Sequence, residues 1–289
     1  DSIYYSSFSS ISASEGMDSL HNKLMRTSIG WQNFNPIDPS QQSLLAVDLG
    51  YEFRDYFLNK VVGSLQSAFI SGSLSANSNS RIIAELNGTW RKNLLGNPTD
   101  NINVNGSIGC KVDSLQETKL WISAFFDQSS PNYRNYLNSP LTYNLNETQT
   151  LGLGLNYKNF RLNNITALNF ISLSNSVYFD SLFQVTQYEK SCGLLKATIK
   201  QNFRFEKLYL NVKLLYQKVL GRDVFRVPEL TVFGSLYFES FLFQHATLMR
   251  LGVDVYYNSS YYGNGYIPIY RSFYFQDEKR IGNYPYFDI

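Results

Sequence analysis

Long apolar runs are missing from this 289-residue chain. Nothing approaches the roughly 18 consecutive apolar residues of a transmembrane helix, and mean hydropathy is −0.24. Histidine is almost absent. His21 and His245 stand alone, so neither a histidine metal site nor a histidine general base has a partner at useful spacing. The two cysteines, Cys110 and Cys192, are far from any Cys-x-x-Cys spacing. Charge of one sign is not in excess. Lys and Arg number 25 against 23 Asp and Glu, a net +2 that gives no reason to expect nucleic acid. Gly-x-Ser-x-Gly and phosphate-binding glycine loops are absent. Gly152-Leu153-Gly154 sits inside an alternating segment with no helix to receive a phosphate. These absences point away from an enzyme, a cofactor and a metal. Residues 1–20 are Ser-rich and polar without a signal-peptide pattern, so the chain reads as mature or truncated.

What is present is alternation. Leu45, Val47, Leu49, Tyr51 and Phe53 are interleaved with Ala46, Asp48, Gly50 and Glu52. Ile82, Ala84, Leu86, Gly88 and Trp90 alternate with Ile83, Glu85, Asn87, Thr89 and Arg91. Leu151, Leu153, Leu155 and Tyr157 alternate with Thr150, Gly152, Gly154 and Asn156. Side chains along a strand point to opposite faces with period two, so each segment is a ribbon with one apolar and one wet face. The ribbons run to about ten residues, the length of a tilted strand crossing a bilayer. Aromatic residues make up 16%, with 22 Tyr and 21 Phe. Strands favour aromatics in any setting, and membrane barrels also gather them in interfacial girdles. The expectation is an all-β antiparallel transmembrane β-barrel in the outer membrane, visible as a dozen or more strands and a fragment of a larger barrel.

Residues 1–23 read as a polar loop or disordered edge, and 24–289 as one barrel domain truncated at its C-terminal end. Strands are expected at 24–34, 43–54, 61–74, 81–92, 101–112, 117–127, 148–158, 161–173, 181–190, 194–205, 208–218, 229–240 and 246–257. Segment 61–74 alternates poorly, being rich in Ser and Gly. Turns are expected at Lys158–Asn159 and at Glu206-Lys207, and His245 falls in another. The longest break, 128–147 with Pro131 and Pro140, is assigned to the outer side, where barrels carry their long loops. Tyr286-Phe287-Asp288-Ile289 reads as mid-strand, so further strands are expected beyond residue 289 and before residue 1. Cys110 shares a face with Ile108, and Cys192 shares one with Lys196, so a disulfide between them is not expected on that register.

The C-terminal stretch carries a resemblance. It contains Val224-Phe225-Arg226-Val227-Pro228-Glu229-Leu230, then Leu251-Gly252-Val253-Asp254-Val255-Tyr256-Tyr257. Tyr266-Ile267-Pro268, Phe273-Tyr274-Phe275-Gln276 and Gly282-Asn283-Tyr284-Pro285 follow. This order resembles the putative porin family of Bacteroidetes outer membranes, over residues 224–289. The resemblance implies a large outer-membrane barrel and carries no catalytic residue.

Two groups of candidate functional residues follow. Lys196, Lys200 and Arg204 share the wet side of one strand, and Lys213 shares it on the next. Asp48, Glu52, Glu85 and Asp254 fall on wet faces of other strands. Together they are candidate lumen-lining residues. Facing basic and acidic walls either set a field across a pore or close it with salt bridges. The carboxylates are also the residue type of a glycosidase pair, but lumen solvation accounts for them and no base accompanies them. The second group is Tyr256, Tyr257, Tyr261, Tyr262, Tyr266, Tyr270 and Tyr274, expected as an interfacial aromatic belt or as a docking surface. The leading expectation is a porin passing small polar solutes passively. A plugged barrel docking protein partners in an envelope assembly, and a soluble or surface β-rich adhesin, are the alternatives.

Overall fold

The computed structural model describes residues 20–33, 43–58, 61–77, 82–95, 100–112, 118–131, 145–244, 246–268 and 272–289. The strands are β1 (Leu20–Gln32), β2 (Ser43–Leu58), β3 (Val61–Asn77), β4 (Ile82–Leu95), β5 (Asp100–Lys111), β6 (Thr118–Ser129), β7 (Thr148–Asn159), β8 (Asn164–Ser174), β9 (Ser176–Phe179), β10 (Val185–Tyr188), β11 (Cys192–Phe205), β12 (Leu208–Leu220), β13 (Leu230–Leu242), β14 (Thr247–Asn258), β15 (Tyr261–Tyr262), β16 (Gly265–Ile267), β17 (Ser272–Tyr274), β18 (Arg280–Ile281) and β19 (Pro285–Asp288). Thirteen of them form one antiparallel sheet in the order β1 to β8, then β11 to β14, then β19. Among the described residues the sheet is not closed, and β1 and β19 are its edges.

Neighbouring strands are antiparallel, so their connections alternate between two ends. One end carries the short turns: 160–163 between β7 and β8, 206–207 between β11 and β12, and 243–246 between β13 and β14. The other carries the long excursions: 130–147, 175–191 with β9 and β10, 221–229, and 259–284 with β15 to β18. Nearer the N-terminus the contrast is absent, with residues 33–42 joining β1 to β2 at the first end and 59–60 joining β2 to β3 at the second. From β6 onward the asymmetry is the one outer-membrane barrels show.

The long strands follow the alternation of the sequence. β3, with its Ser and Gly, is a full 17-residue strand. Its residues Ser67, Phe69, Ser71, Ser73 and Ser75 share one face, and Ala68, Ile70, Gly72 and Leu74 the other. Its alternation is blurred by composition, since Ser and Gly mark neither face strongly. The register shift against β4 at Gln66/Ser67 adds its extra residue, Leu94, to β4. Segment 181–190 is not one strand as expected. β9 and β10 pair across a turn in which Asp180 Oδ1 accepts the Leu182 and Gln184 amides at 2.9 Å each. A side-chain acceptor at that point supplies a turn rather than a ladder. The turn expected at Lys158–Asn159 lies one step later. Asn159 ends β7, and its Oδ1 accepts the Leu162 amide at 2.8 Å. β1 starts at Leu20, inside the segment expected as polar edge.

Cross-strand register assigns the faces, because directly paired residues point the same way. Ile82, Leu86, Val104, Ile108, Ile122, Leu153, Leu155, Leu168, Phe170, Ile199, Leu214 and Leu236 share one side. Val47, Leu49, Ile82, Leu86, Leu153 and Leu155 are 38–56% exposed. An apolar surface this continuous needs a hydrocarbon partner, and Leu210 and Val212 lie on it. We call this side outer and the opposite side inner. Glycines on the inner side seat aromatic rings. Phe69 lies over its cross-strand partner Gly50, and Phe125 over Gly152, where a Cβ would collide with the ring.

Placing Arg at Leu153 or Leu210 is expected to cost about 2–4 kcal/mol near the bilayer midplane, while Arg at the inner residue Asn105 should cost far less. Unfolding of the lipid-refolded variants, followed by the heat-dependent gel shift, checks this. Equal stability of all three would reverse the face assignment.

Candidate inner-face site

The inner surface divides into four chemically distinct zones. On β1 to β4 lies an ion-pair knot. Glu52 is 4% exposed; its Oε1 takes Arg54 Nη2 at 3.0 Å and its Oε2 takes Arg91 Nη2 at 3.4 Å. Arg26, the register partner of Glu52, sits over the Phe69 ring at 4.1 Å. Two of these cations face one carboxylate because alternation places residues 52, 54 and 91 on one side. Glu52 therefore serves as a structural clamp, the salt-bridge alternative for this part of the wall.

Next come polar rows made mainly of amides and hydroxyls. Asn87 Nδ2 donates to Asn105 Oδ1 at 3.2 Å, Asn105 Nδ2 to Asn103 Oδ1 at 3.4 Å, and Asn103 Nδ2 to Asp127 Oδ1 at 3.0 Å. The row Glu85–Ser107–Ser123–Gly154–Asn169–Lys196–Gln217 runs beside them. It places the expected acid Glu85 and the expected base Lys196 on one line, with four strands between them.

The third zone is basic. Lys200 and Lys213 are directly opposed across β11 and β12. Among the described residues Lys196, Lys200 and Lys213 make no ion pair. The last zone, at the short-turn end of β11 to β14, is a cation–aromatic ladder. Arg204 lies 5.3 Å from the Tyr209 ring, and Tyr209 stacks on Tyr237 at 4.9 Å. Arg250 lies 4.6 Å from Tyr237 and pairs with Glu239 at 2.6 Å. Arg204 thus has an aromatic neighbour that one-strand reasoning missed. Asp254 is inner and pairs in register with Ser235 and Asp288. Asp48 is inner and lies against Gly30, where a Cβ would strike its carboxylate.

Toward the long-loop end the inner surface is covered. Cys192, Leu194 and Gln217 are inner and buried, whereas Leu220 and Tyr216 of the outer side are exposed. Gln217 Nε2 donates to Pro228 O at 3.0 Å, so loop 221–229 folds across the inner side. A cap of loops is packed there. Tyr178 stacks on Phe275 at 4.2 Å and 9°, and the Phe275 amide donates to Phe179 O at 2.8 Å. Arg226 bonds Asp277 at 2.6 Å and lies 4.7 Å from the Phe275 ring. Arg222 lies between Tyr178 and Tyr188, at 5.4 and 5.5 Å.

The expected aromatic group divides between sheet and cap. Tyr256 is inner, beside Phe233 at 4.9 Å, and Tyr257 is outer and donates to Asn283 Oδ1 at 3.3 Å. Tyr261 and Tyr262 form β15, and Tyr262 has Arg280 at 4.6 Å and Arg226 at 5.7 Å from its ring. Tyr274 meets the Phe183 edge at 4.8 Å. Tyr266 and Phe273 form an exposed pair at 5.3 Å. Tyr270 and His245 lie outside the described residues. Cys110 is outer and exposed and Cys192 inner and buried; both are free thiols.

Replacing Glu52 by Ala should strand two partly buried guanidinium groups and lower stability by about 1–3 kcal/mol. The effect is held below that of a fully buried pair because Arg54 and Arg91 keep 35% and 30% of their side chains exposed. A double-mutant cycle of Glu52→Ala with Arg91→Ala should be clearly non-additive in unfolding midpoint; additivity would mean no coupling.

A search of curated proteins gives no match. Among solved structures the chain is similar in fold to a chain of the structure titled "Structure of the FpvAI-pyocin S2 complex". The TM-score is 0.54 and the identity 10%, over 93% of this chain and 40% of that one. This chain thus spans less than half the length of that chain. A family model described as "Putative porin" matches residues 6–289. With an antiparallel sheet, a wet inner wall and a family match over nearly its whole length, the chain belongs to the putative porin family.

Proposed function

We propose that the chain forms a wall of an outer-membrane barrel whose lumen passes small polar solutes passively, in a transport role that needs no catalysis. The observation that carries this reading is the division of one sheet into an exposed apolar outer side and a polar inner side, within a family of porins. Polar-in, apolar-out alternation is what a membrane pore requires. The long-loop end faces outward by the usual barrel asymmetry, and its inward-folded cap narrows that mouth. In this reading Lys196, Lys200, Arg204 and Lys213 line the lumen with Asp48, Glu85 and Asp254. Unpaired lysines raise the local anion concentration and lower that of cations.

A second reading has its own support. Burial of Cys192, Leu194 and Gln217 beneath the cap, and the exposed Tyr266–Phe273 pair on it, suit a plugged barrel that docks a protein partner in an envelope assembly. Planar-bilayer conductance of the refolded full-length protein separates the two readings, because a plugged barrel passes no current.

The triple change Lys196→Glu, Lys200→Glu, Arg204→Glu should move the reversal potential toward cation preference. The shift should be largest at low salt, since the Debye length is about 8 Å at physiological ionic strength and a wide bore dilutes the field. A conducting protein whose ion preference ignores all three changes would remove these residues from the lumen.

A further inference from the structure

Register brings together lysines that are far apart in the sequence. Lys111 pairs with Lys119, and Lys119 with Lys158. Lys158 pairs with Ile165, Ile165 with Lys200, and Lys200 with Lys213. Six successive strands, β5 to β8 and then β11 and β12, thus put five lysines and one isoleucine on a single inner row. At about 4.8 Å between strands the row is roughly 24 Å long. Like charges directly opposed across a sheet are unfavourable, and three of the five pairings along this row oppose lysine to lysine. Among the described residues Lys119, Lys158, Lys200 and Lys213 have no carboxylate partner.

The row is also a ramp. Lys111 is the last residue of β5, Lys119 the second of β6, and Lys158 the second from the end of β7. Lys200 lies five residues before the end of β11, and Lys213 is the sixth residue of β12. The row therefore starts at the short-turn end and reaches mid-strand by β12. At its lower end is a cleft of about 320 Å³ lined by Glu85, Ser107, Gly109, Lys119, Trp121, Lys158 and Phe160. The Phe160 ring lies 5.3 Å from Lys119 Nζ and 4.2 Å from Lys158 Nζ, so both ammonium groups are held beside the cleft. Glu85 sits four residues along the strand from the lysine row, roughly 13 Å away at 3.3 Å per residue. The cationic end of the cleft is therefore separate from its carboxylate.

We infer that this row is a binding track for small multivalent anions of the phosphate and polycarboxylate class, with the Lys119–Lys158 cleft as its first station. The inference rests on the inner side being a water-filled lumen. An anion with two or more charges satisfies two opposed lysines at once, relieves their repulsion, and passes to the next pair without returning to bulk water. A monovalent anion lacks the second charge and is held less.

Inorganic pyrophosphate is the probe. Calorimetry on the refolded full-length protein in detergent should show saturable binding that weakens as KCl is raised. Lys119→Gln with Lys158→Gln, or Lys200→Gln with Lys213→Gln, should weaken it roughly tenfold or more, because each double change removes two cations that attract the anion at close range. The outer-side control Lys218→Gln should leave it unchanged. Lys200→Arg with Lys213→Arg keeps the charge and should retain binding, which guards against a variant that merely misfolds. In bilayers, pyrophosphate should reduce the chloride current of the wild type and spare that of the Gln pairs. Binding that depends on these lysines in a protein that carries no current would uphold the track and overturn the channel reading. Current with no pyrophosphate binding, or binding indifferent to both Gln pairs, would overturn the track and leave the channel reading standing.

Discussion

A backbone amide inside hydrocarbon has no water to bond, so each strand crossing a membrane must find its partners in its neighbours. The other features of this chain follow from that requirement. Strand-to-strand pairing enforces period two, and period two sends every second side chain toward lipid. The side chains between them face inward, where charge can be solvated. A one-residue slip would exchange the two sets. A bulge at Leu94 of β4, opposite Gln66/Ser67, adds one residue, and beyond it β4 keeps Asn87, Thr89 and Arg91 inner and Leu86 and Trp90 outer. Rings laid over Gly50 and Gly152 fix cross-strand pairs in the same way, because a slipped register would set a Cβ beneath each ring.

Within that frame the inner charges are treated in two ways. Around Glu52, two guanidinium groups are held by one buried carboxylate, and on β11 to β14 Arg204 and Arg250 lie on the stacked Tyr209–Tyr237 pair. Guanidinium is planar and weakly hydrated, which suits such packing. Lysine is a compact and strongly hydrated charge on a flexible stem. Lys196, Lys200 and Lys213 are left with water and one another. The arginines are therefore tied into the wall, while in the proposed channel the lysines supply a field that solutes can feel.

How much of this could be read in advance depended on whether the information was local. The outer positions of Leu153 and Leu155, and the shared side of Lys196 and Lys200, follow from spacing within one strand, which needs only the pleat. The Glu206-Lys207 turn was legible for the same reason. The pairing of Glu52 with Arg91 was not, because Arg91 reaches it from two strands away. Nor was the row joining Lys119 and Lys158 to Lys200, because alignment between strands depends on turn lengths and bulges that no single segment encodes. β8 hid its role for another reason. Ile165, Ala167, Ile171 and Leu173, with Asn169 between them, make its inner side largely apolar, so its alternation fades. The segment 256–275 was dense enough in tyrosine to read as a belt or a docking face. Composition alone could not say that Tyr262 lies between Arg226 and Arg280, with Tyr274 against Phe183, in a folded cap.

The positions of cap and lysine row relative to each other carry the last step. The cap lies over the inner side at the long-loop end, and the lysine row begins at the short-turn end and climbs toward it. In the proposed channel a solute entering at the cap meets aromatic rings and paired arginines, then a stretch of serine and asparagine, then a line of lysines. In that reading size is tested first, where the loops are packed, and charge second, where the strands alone form the wall. That order is physically economical. Packing against Phe275, Phe179 and Tyr178 needs loops that can fold on one another, whereas lysines spaced at one strand each need only a fixed register, which the sheet provides without further parts.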